Sequence, residues 1–90
     1  MRVTNMLSPR SNNPVANQFI VTDGADRYFQ SYDSVIVKVT PKGTFLDEKY
    51  WDCSVTTSKY RNRFLGENSA ETKRKINDGT YILTNLNGDA

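Results

Sequence analysis

The run Val35-Ile36-Val37-Lys38-Val39-Thr40 is the most β-like stretch of the chain and decides its fold class. Branched side chains of this kind pack well on a pleated, half-buried surface. Val35, Val37 and Val39 would point to one side of the strand, and Ile36, Lys38 and Thr40 to the other. The pattern predicts a sheet with one buried face and one partly wet face, as is usual for antiparallel sheets.

Further strands are predicted before and after this run. Residues 16–22 and 27–32 have an extended pattern, and the segment Asp23-Gly24-Ala25-Asp26 between them has the composition of a hairpin turn. Gly24 supplies the positive φ that other residues resist. These two strands should pair antiparallel. A short strand is predicted at 43–46, after the turn Pro41-Lys42-Gly43, and another at 80–84.

Two short helices are predicted between residues 54 and 78. Several hydroxyl residues of 54–58 could cap a helix over 59–65, which Gly66 would end. Asn68 and Glu71 have the spacing of a capping box, in which each side chain accepts from the other residue's amide, so a second helix begins there and runs to about Asn77. Tyr60 and Phe64 lie four residues apart and would face the core.

These elements predict an α+β fold in which a small antiparallel sheet of about four strands carries two short helices on one face. Residues 15–86 would form the single domain, residues 1–14 an extended N-terminal arm, and residues 87–90 a frayed tail. The predicted core comprises Phe19, Val21, Phe29, Val35, Val37, Tyr60, Phe64, Leu65, Ile76, Tyr81 and Leu83.

The composition excludes most catalytic templates. The 90-residue chain has no histidine, which removes the commonest general base and all Ser-His and Cys-His nucleophile pairs. Cys53 is its only cysteine, so neither an internal disulfide nor the usual thiolate zinc site can form, and a reducing cytoplasmic setting is expected. No run is apolar enough for a membrane span. We therefore expect no enzyme, no cofactor and no metal.

Charge is distributed unevenly along the chain. The net charge is only +2, but residues 53–77 carry six basic and two acidic side chains, whereas residues 23–52 carry four basic and six acidic. The basic side chains would form a helical face that contacts phosphates or an acidic protein surface. Alternatively, they form only a solvated face. The candidate binding residues are Lys59, Arg61, Asn62, Arg63, Lys73, Arg74 and Lys75.

One enzymatic alternative remains open, a metal-dependent nuclease. Asp47 or Asp52 with Glu71 and Lys73 superficially matches the pattern in which carboxylates hold Mg²⁺ and a lysine stabilises developing charge. Glu48 is a further candidate carboxylate. The match is weak, because such residues usually lie at strand ends, whereas Glu71 and Lys73 fall in the first turn of a predicted helix.

Four segments resemble small uncharacterised proteins of bacteriophages and mobile elements, over roughly residues 14–86. They are Phe29–Ser34, Leu46–Asp52, Thr56–Gly66 and Gly79–Leu86. The resemblance implies a setting, the cytoplasm of a bacterial host, and no functional residues. Two roles are natural there: an inhibitor that occupies a host protein, such as a defence nuclease, or an accessory protein that binds nucleic acid. We expect an interaction protein of the first kind, with nucleic-acid binding as the alternative and the oligomeric state open.

Overall fold

A computed structural model describes residues 1–88 and shows an α+β fold with one six-stranded sheet and two helices. The strands lie in the sheet in the order in which they occur in the chain. In chain order, the elements are β1 (Arg2–Leu7), β2 (Pro14–Asp23), β3 (Asp26–Ser31), β4 (Ser34–Thr40), β5 (Gly43–Asp47), α1 (Val55–Leu65), α2 (Ser69–Asn77) and β6 (Tyr81–Thr84).

Short turns make the first five strands an antiparallel meander. Gly24, with φ 61°, begins the two-residue loop between β2 and β3, so the predicted hairpin is confirmed. The sixth strand differs from the predicted antiparallel arrangement because β6 pairs parallel with β5. A parallel pair needs a connection that returns the chain to the same end of the sheet, and α1 and α2 provide it.

Both helices end where predicted, but α1 begins at Val55, four residues before the predicted range 59–65, because the first hydroxyl residue of 54–58 is its cap. Ser54 caps α1 by accepting from the Thr57 amide, and Gly66 ends it in the left-handed conformation, with φ 71°. Asn68 and Glu71 form the predicted capping box of α2. Neither helix is long or apolar enough to cross a membrane, nor is any other helix within residues 1–88.

The core lies between the helices and one face of the sheet. Phe29, at the centre of β3, is fully buried and stacks on Phe64 of α1, with ring centroids 5.9 Å apart. Of the other predicted core residues, Val37, Tyr60 and Tyr81 are buried, and Phe64, Leu65 and Ile76 pack against them. The buried apolar cluster consists of Met6, Phe29, Ile36, Val37, Leu46, Tyr60 and Tyr81.

The predicted core contains errors on β2, β4 and β6, and an irregularity in strand pairing explains the one on β4. The pairing of β3 with β4 shifts between Phe29 and Gln30, so Ile36 and Val37 are both buried while Val35 pairs with Gln30. A bulge of this kind reverses the alternation of side chains along a strand. On β2 it is Ile20, not Phe19 or Val21, that pairs with Phe29 and packs on the core. Leu83 was also predicted to be in the core, but it is 39% exposed.

The N-terminal segment predicted as an arm is part of the sheet over β1. Its pairing with β2 shifts between Asn5 and Leu7, and Met6 enters the core at that irregularity. The segment 1–14 has no continuous apolar run, and for this reason its sequence does not predict a strand. At the other end, Asn87 of the predicted tail bonds both the amide and the carbonyl of Val35. Residues 89 and 90 lie outside the described residues.

Candidate binding surface

Arg61 of α1, predicted as an exposed binding residue, is instead fully buried. Its guanidinium lies 5.2 Å from the ring centroid of Trp51 and donates to the Trp51 carbonyl oxygen. It also donates to Asp52 at 3.2 Å and to Ser69 of α2 at 2.9 Å. The guanidinium also donates to the hydroxyl oxygen of Ser58 and to the side-chain oxygen of Asn62. Arg61 therefore joins the loop before α1 to the start of α2 and has no surface left for a partner.

A polar groove lies over this buried guanidinium. We call it the serine groove; its lining residues are Asp52, Ser54, Val55, Ser58, Lys59, Asn62 and Ser69. It encloses about 630 Å³. Four of the acceptors of Arg61 are among these lining residues, so the buried arginine fixes the groove's polar floor. Its mixture of hydroxyls, an amide, one carboxylate, one lysine and a valine suits hydrogen bonding to a polar partner.

Asp52 is the only carboxylate on this floor, and it is held ionised. The hydroxyl of Ser58 donates to Asp52 at 2.8 Å, and this hydrogen bond, together with Arg61, lowers the pKa of Asp52. The charge of Lys73, on the neighbouring helix, lowers the pKa further. The Asp52 charge is thus balanced within the fold by Arg61, which leaves the positive rim of the groove to Lys59 and Lys73.

The remaining predicted cations separate into exposed and paired groups. Lys59, Arg63 and Lys73 are exposed and have no carboxylate within ion-pair distance among residues 1–88. Arg74 pairs with Asp78 at 3.5 Å, one turn further along α2. Asn62 is half-buried, and its amide donates to Ser69.

Lys75 belongs to a network around Glu67 rather than to the free basic surface. Its ammonium lies 2.7 Å from Glu67, which also accepts from the hydroxyls of Thr72 and Tyr81. Burial raises the pKa of Glu67, but these three hydrogen bonds outweigh it and leave the pKa lowered. The pKa of Lys75 is raised by its bond to Glu67. This network ties α2 to β6 and so has a structural task.

Sequence reasoning missed Arg27, which lies on the other side of α1. Its guanidinium stacks 5.0 Å from the ring centroid of Phe64. Arg27 and Arg63 border a groove between α1 and the first strands, with an apolar floor that includes Met6 and Ile20. Arg27 lies on β3, 28 residues before the start of α1, so only the pairing of the strands brings it beside the basic helix.

The carboxylates Asp47, Asp52 and Glu71 of the nuclease hypothesis do not form one cluster, and each accepts hydrogen bonds within the fold. Asp47 is 1% exposed and accepts from three backbone amides, those of Lys49, Tyr50 and Leu86. Glu71 completes the capping box of α2, and Asp52 lies on the floor of the serine groove. Within residues 1–88, no three potential metal-ligating side chains cluster closely enough to hold an ion.

A sequence model of one protein family matches residues 1–79, which include β1 to β5 and both helices. The chain belongs to DUF8033, a family of unknown function. The matched region contains the serine groove and Arg61 with all of its acceptors. Comparison with curated proteins gave no match, and comparison with solved structures gave none.

Proposed function

We propose that this member of DUF8033 is a non-catalytic interaction protein that binds an acidic surface of a partner protein through the serine groove and its basic rim. The observation that carries the proposal is the pairing state of the cations. Lys59 and Lys73 at this rim, and Arg63 beside the second groove, are exposed and unpaired within residues 1–88, whereas Arg61, Arg74 and Lys75 each pair with a carboxylate. Free charges at the rim can steer and orient a partner of opposite charge.

An apolar contact point lies beside these cations. Val55 is 87% exposed at the start of α1 and forms part of the groove wall. An exposed apolar side chain surrounded by hydroxyls and cations suits a protein interface, where an apolar centre is enclosed by a polar rim. The resemblance described above would make the partner a protein of a bacterial host, and this identification stays a prediction.

Nucleic acid is the second candidate, favoured by the stacking of Arg27 on Phe64 beside Arg63. The three free cations are few for this role, because binding to nucleic acid depends on the number of phosphates that Lys and Arg side chains neutralise. Fluorescence anisotropy with labelled single- and double-stranded oligonucleotides at about 50 and 200 mM salt separates the two candidates. Binding that collapses at the higher salt would favour nucleic acid, and no binding at the lower salt would favour the protein partner.

Affinity capture from bacterial lysate tests the proposed interface. The bait K59E/K73E reverses the two charges at the rim of the serine groove, and the bait R2E/R10E makes the same change in net charge on the exposed N-terminal segment. We expect the wild-type and R2E/R10E baits to retain one specific polypeptide that K59E/K73E loses. Equal retention by all three baits, or recovery of no specific polypeptide, would contradict the proposal.

A further inference from the structure

One face of the sheet is left uncovered by the helices and is largely apolar. The register of the strands places one residue of each strand in a row across this face, in the order Val3, Val21, Tyr28, Lys38, Phe45 and Ile82. Val3 is 59% and Ile82 48% exposed. In the next row on the same side, Phe19 and Val35 alternate with Asn5 and Gln30. We call this surface the open sheet face. An apolar surface of this extent marks an interaction site.

We propose that the open sheet face binds the same face of a second copy of this chain, forming a twofold-symmetric β-sandwich. Two sheets that pack face to face keep their strands within about 30° of alignment. A twofold axis that runs parallel to the strands, between the two sheets and midway between β3 and β4, would place β3 of one copy over β4 of the other. In the same arrangement, β2 covers β5 and β1 covers β6.

The row is complementary to itself under this symmetry. Val3 opposes the partner's Ile82, and Val21 opposes the partner's Phe45, so apolar side chains meet apolar side chains. Tyr28 opposes the partner's Lys38, whose ammonium already lies 5.7 Å from the Tyr28 ring within one copy. A lysine over an aromatic ring is an attractive pair in either arrangement. The one charge in the row therefore has an acceptable neighbour in the dimer.

The turns at one end of the sheet are also complementary. The β2–β3 hairpin ends in the acidic pair Asp23 and Asp26, and the neighbouring β4–β5 turn contains Lys42. Both turns lie at the same end of the meander. Because the axis exchanges β2–β3 with β4–β5, each acidic hairpin lies against the partner's basic turn. An axis perpendicular to the strands would bring the two ends of the sheet together instead and would lose this pairing.

The area is sufficient for a specific dimer. Six strands about 4.8 Å apart, contributing on average about five residues of about 3.3 Å, give a face of roughly 500 Å² in projection. Two such faces together hide about 1,000 Å², which is the lower bound for a specific interface. The partner is thus another copy of this chain, and the interface lies opposite the serine groove, which stays accessible in the dimer.

Size-exclusion chromatography with light scattering tests the dimer on the full chain. At about 100 μM we expect twice the 10.2 kDa of the single chain. Val3→Lys and Ile82→Lys, on opposite edges, should each weaken the dimer at least tenfold while circular dichroism stays unchanged. Val55→Lys is the matched control on the helical side and should leave the mass unchanged. A monomer at this concentration, or a dimer that both Val3→Lys and Ile82→Lys leave intact, would overturn the proposal.

Cross-linking tests the orientation of the two copies. Cys53 is exposed and is first replaced by serine. A short bifunctional thiol reagent should then join two V3C/I82C chains, because the axis places the β1 edge over the partner's β6 edge. The two edges of one sheet are about 24 Å apart, too far for such a reagent to bridge within a chain. Cross-linking of V3C alone at equal yield, or no cross-linking of V3C/I82C, would overturn this arrangement.

Discussion

Replacing Arg61 by alanine should be among the most destabilising single changes in this chain, because it removes a buried side chain together with its hydrogen bonds. Its guanidinium satisfies the Trp51 carbonyl and bonds Asn62 and Ser69, at about 1 kcal/mol net for each bond. The Asp52 pair adds little, since that carboxylate is 47% exposed and water can replace the guanidinium. Loss of the buried stem against Trp51 adds a further penalty of about 1–2 kcal/mol.

The total for Arg61→Ala is about 4–5 kcal/mol, roughly a third or more of the roughly 5–13 kcal/mol expected for a domain of this length. Urea unfolding followed by Trp51 fluorescence measures it as a fall in the midpoint of at least about 1 M. Arg61→Met keeps the stem but loses the hydrogen bonds, and should show about two-thirds of the loss. Arg63→Ala, exposed two residues away, is the control and should change stability by less than about 0.5 kcal/mol. A loss below about 1 kcal/mol for Arg61→Ala would refute the structural role.

Three further predictions concern other residues whose side chains hold the fold together. Asn68→Ala removes the cap of α2 and should reduce the free energy of unfolding in urea by about 1 kcal/mol, and an unchanged midpoint would count against the capping box. Asp47→Ala leaves three backbone amides without their acceptor and should lower stability by about 2–4 kcal/mol in thermal unfolding, whereas a native melting temperature would argue against this task. The lowered pKa of Glu67 means that its contribution is present above the carboxyl's unfolded pKa and is lost as pH falls through the folded one. Glu67→Gln should therefore flatten the acid side of a stability–pH profile below about pH 5, and a slope identical to wild type would show that Glu67 adds nothing.

Much of the fold could be predicted from local patterns. The turn at Gly24, the end of α1 at Gly66 and the capping box at Asn68 are each determined by two to four neighbouring residues, and all three are present. Their chemistry is local, since a positive φ or an unsatisfied helix amide is met by a residue close in sequence. These local elements were sufficient to predict an α+β fold with the helices on one face of the sheet.

Features that depend on contacts between distant residues could not be predicted in this way. An irregularity in the pairing of β3 with β4 reverses which side chains of β4 face the core, and no residue near Val35 predicts it. Arg61 has the type and spacing of a surface cation on α1, but its position relative to Trp51 and Ser69 buries it. The pairing of Lys75 with Glu67 depends on the fold of α2 against β6. Of the predicted basic residues, the structure leaves Lys59, Arg63 and Lys73 exposed and without an ion pair among residues 1–88.

The most direct test of the proposed interface is the affinity of the captured partner for three purified proteins, measured by isothermal titration calorimetry. K59E/K73E should bind at least tenfold more weakly than wild type, a loss of about 1.4 kcal/mol, because reversed charges repel an acidic surface. R2E/R10E, with the same change in net charge, should stay within about twofold of wild type. Equal affinities for all three proteins would contradict binding through the serine groove and its basic rim.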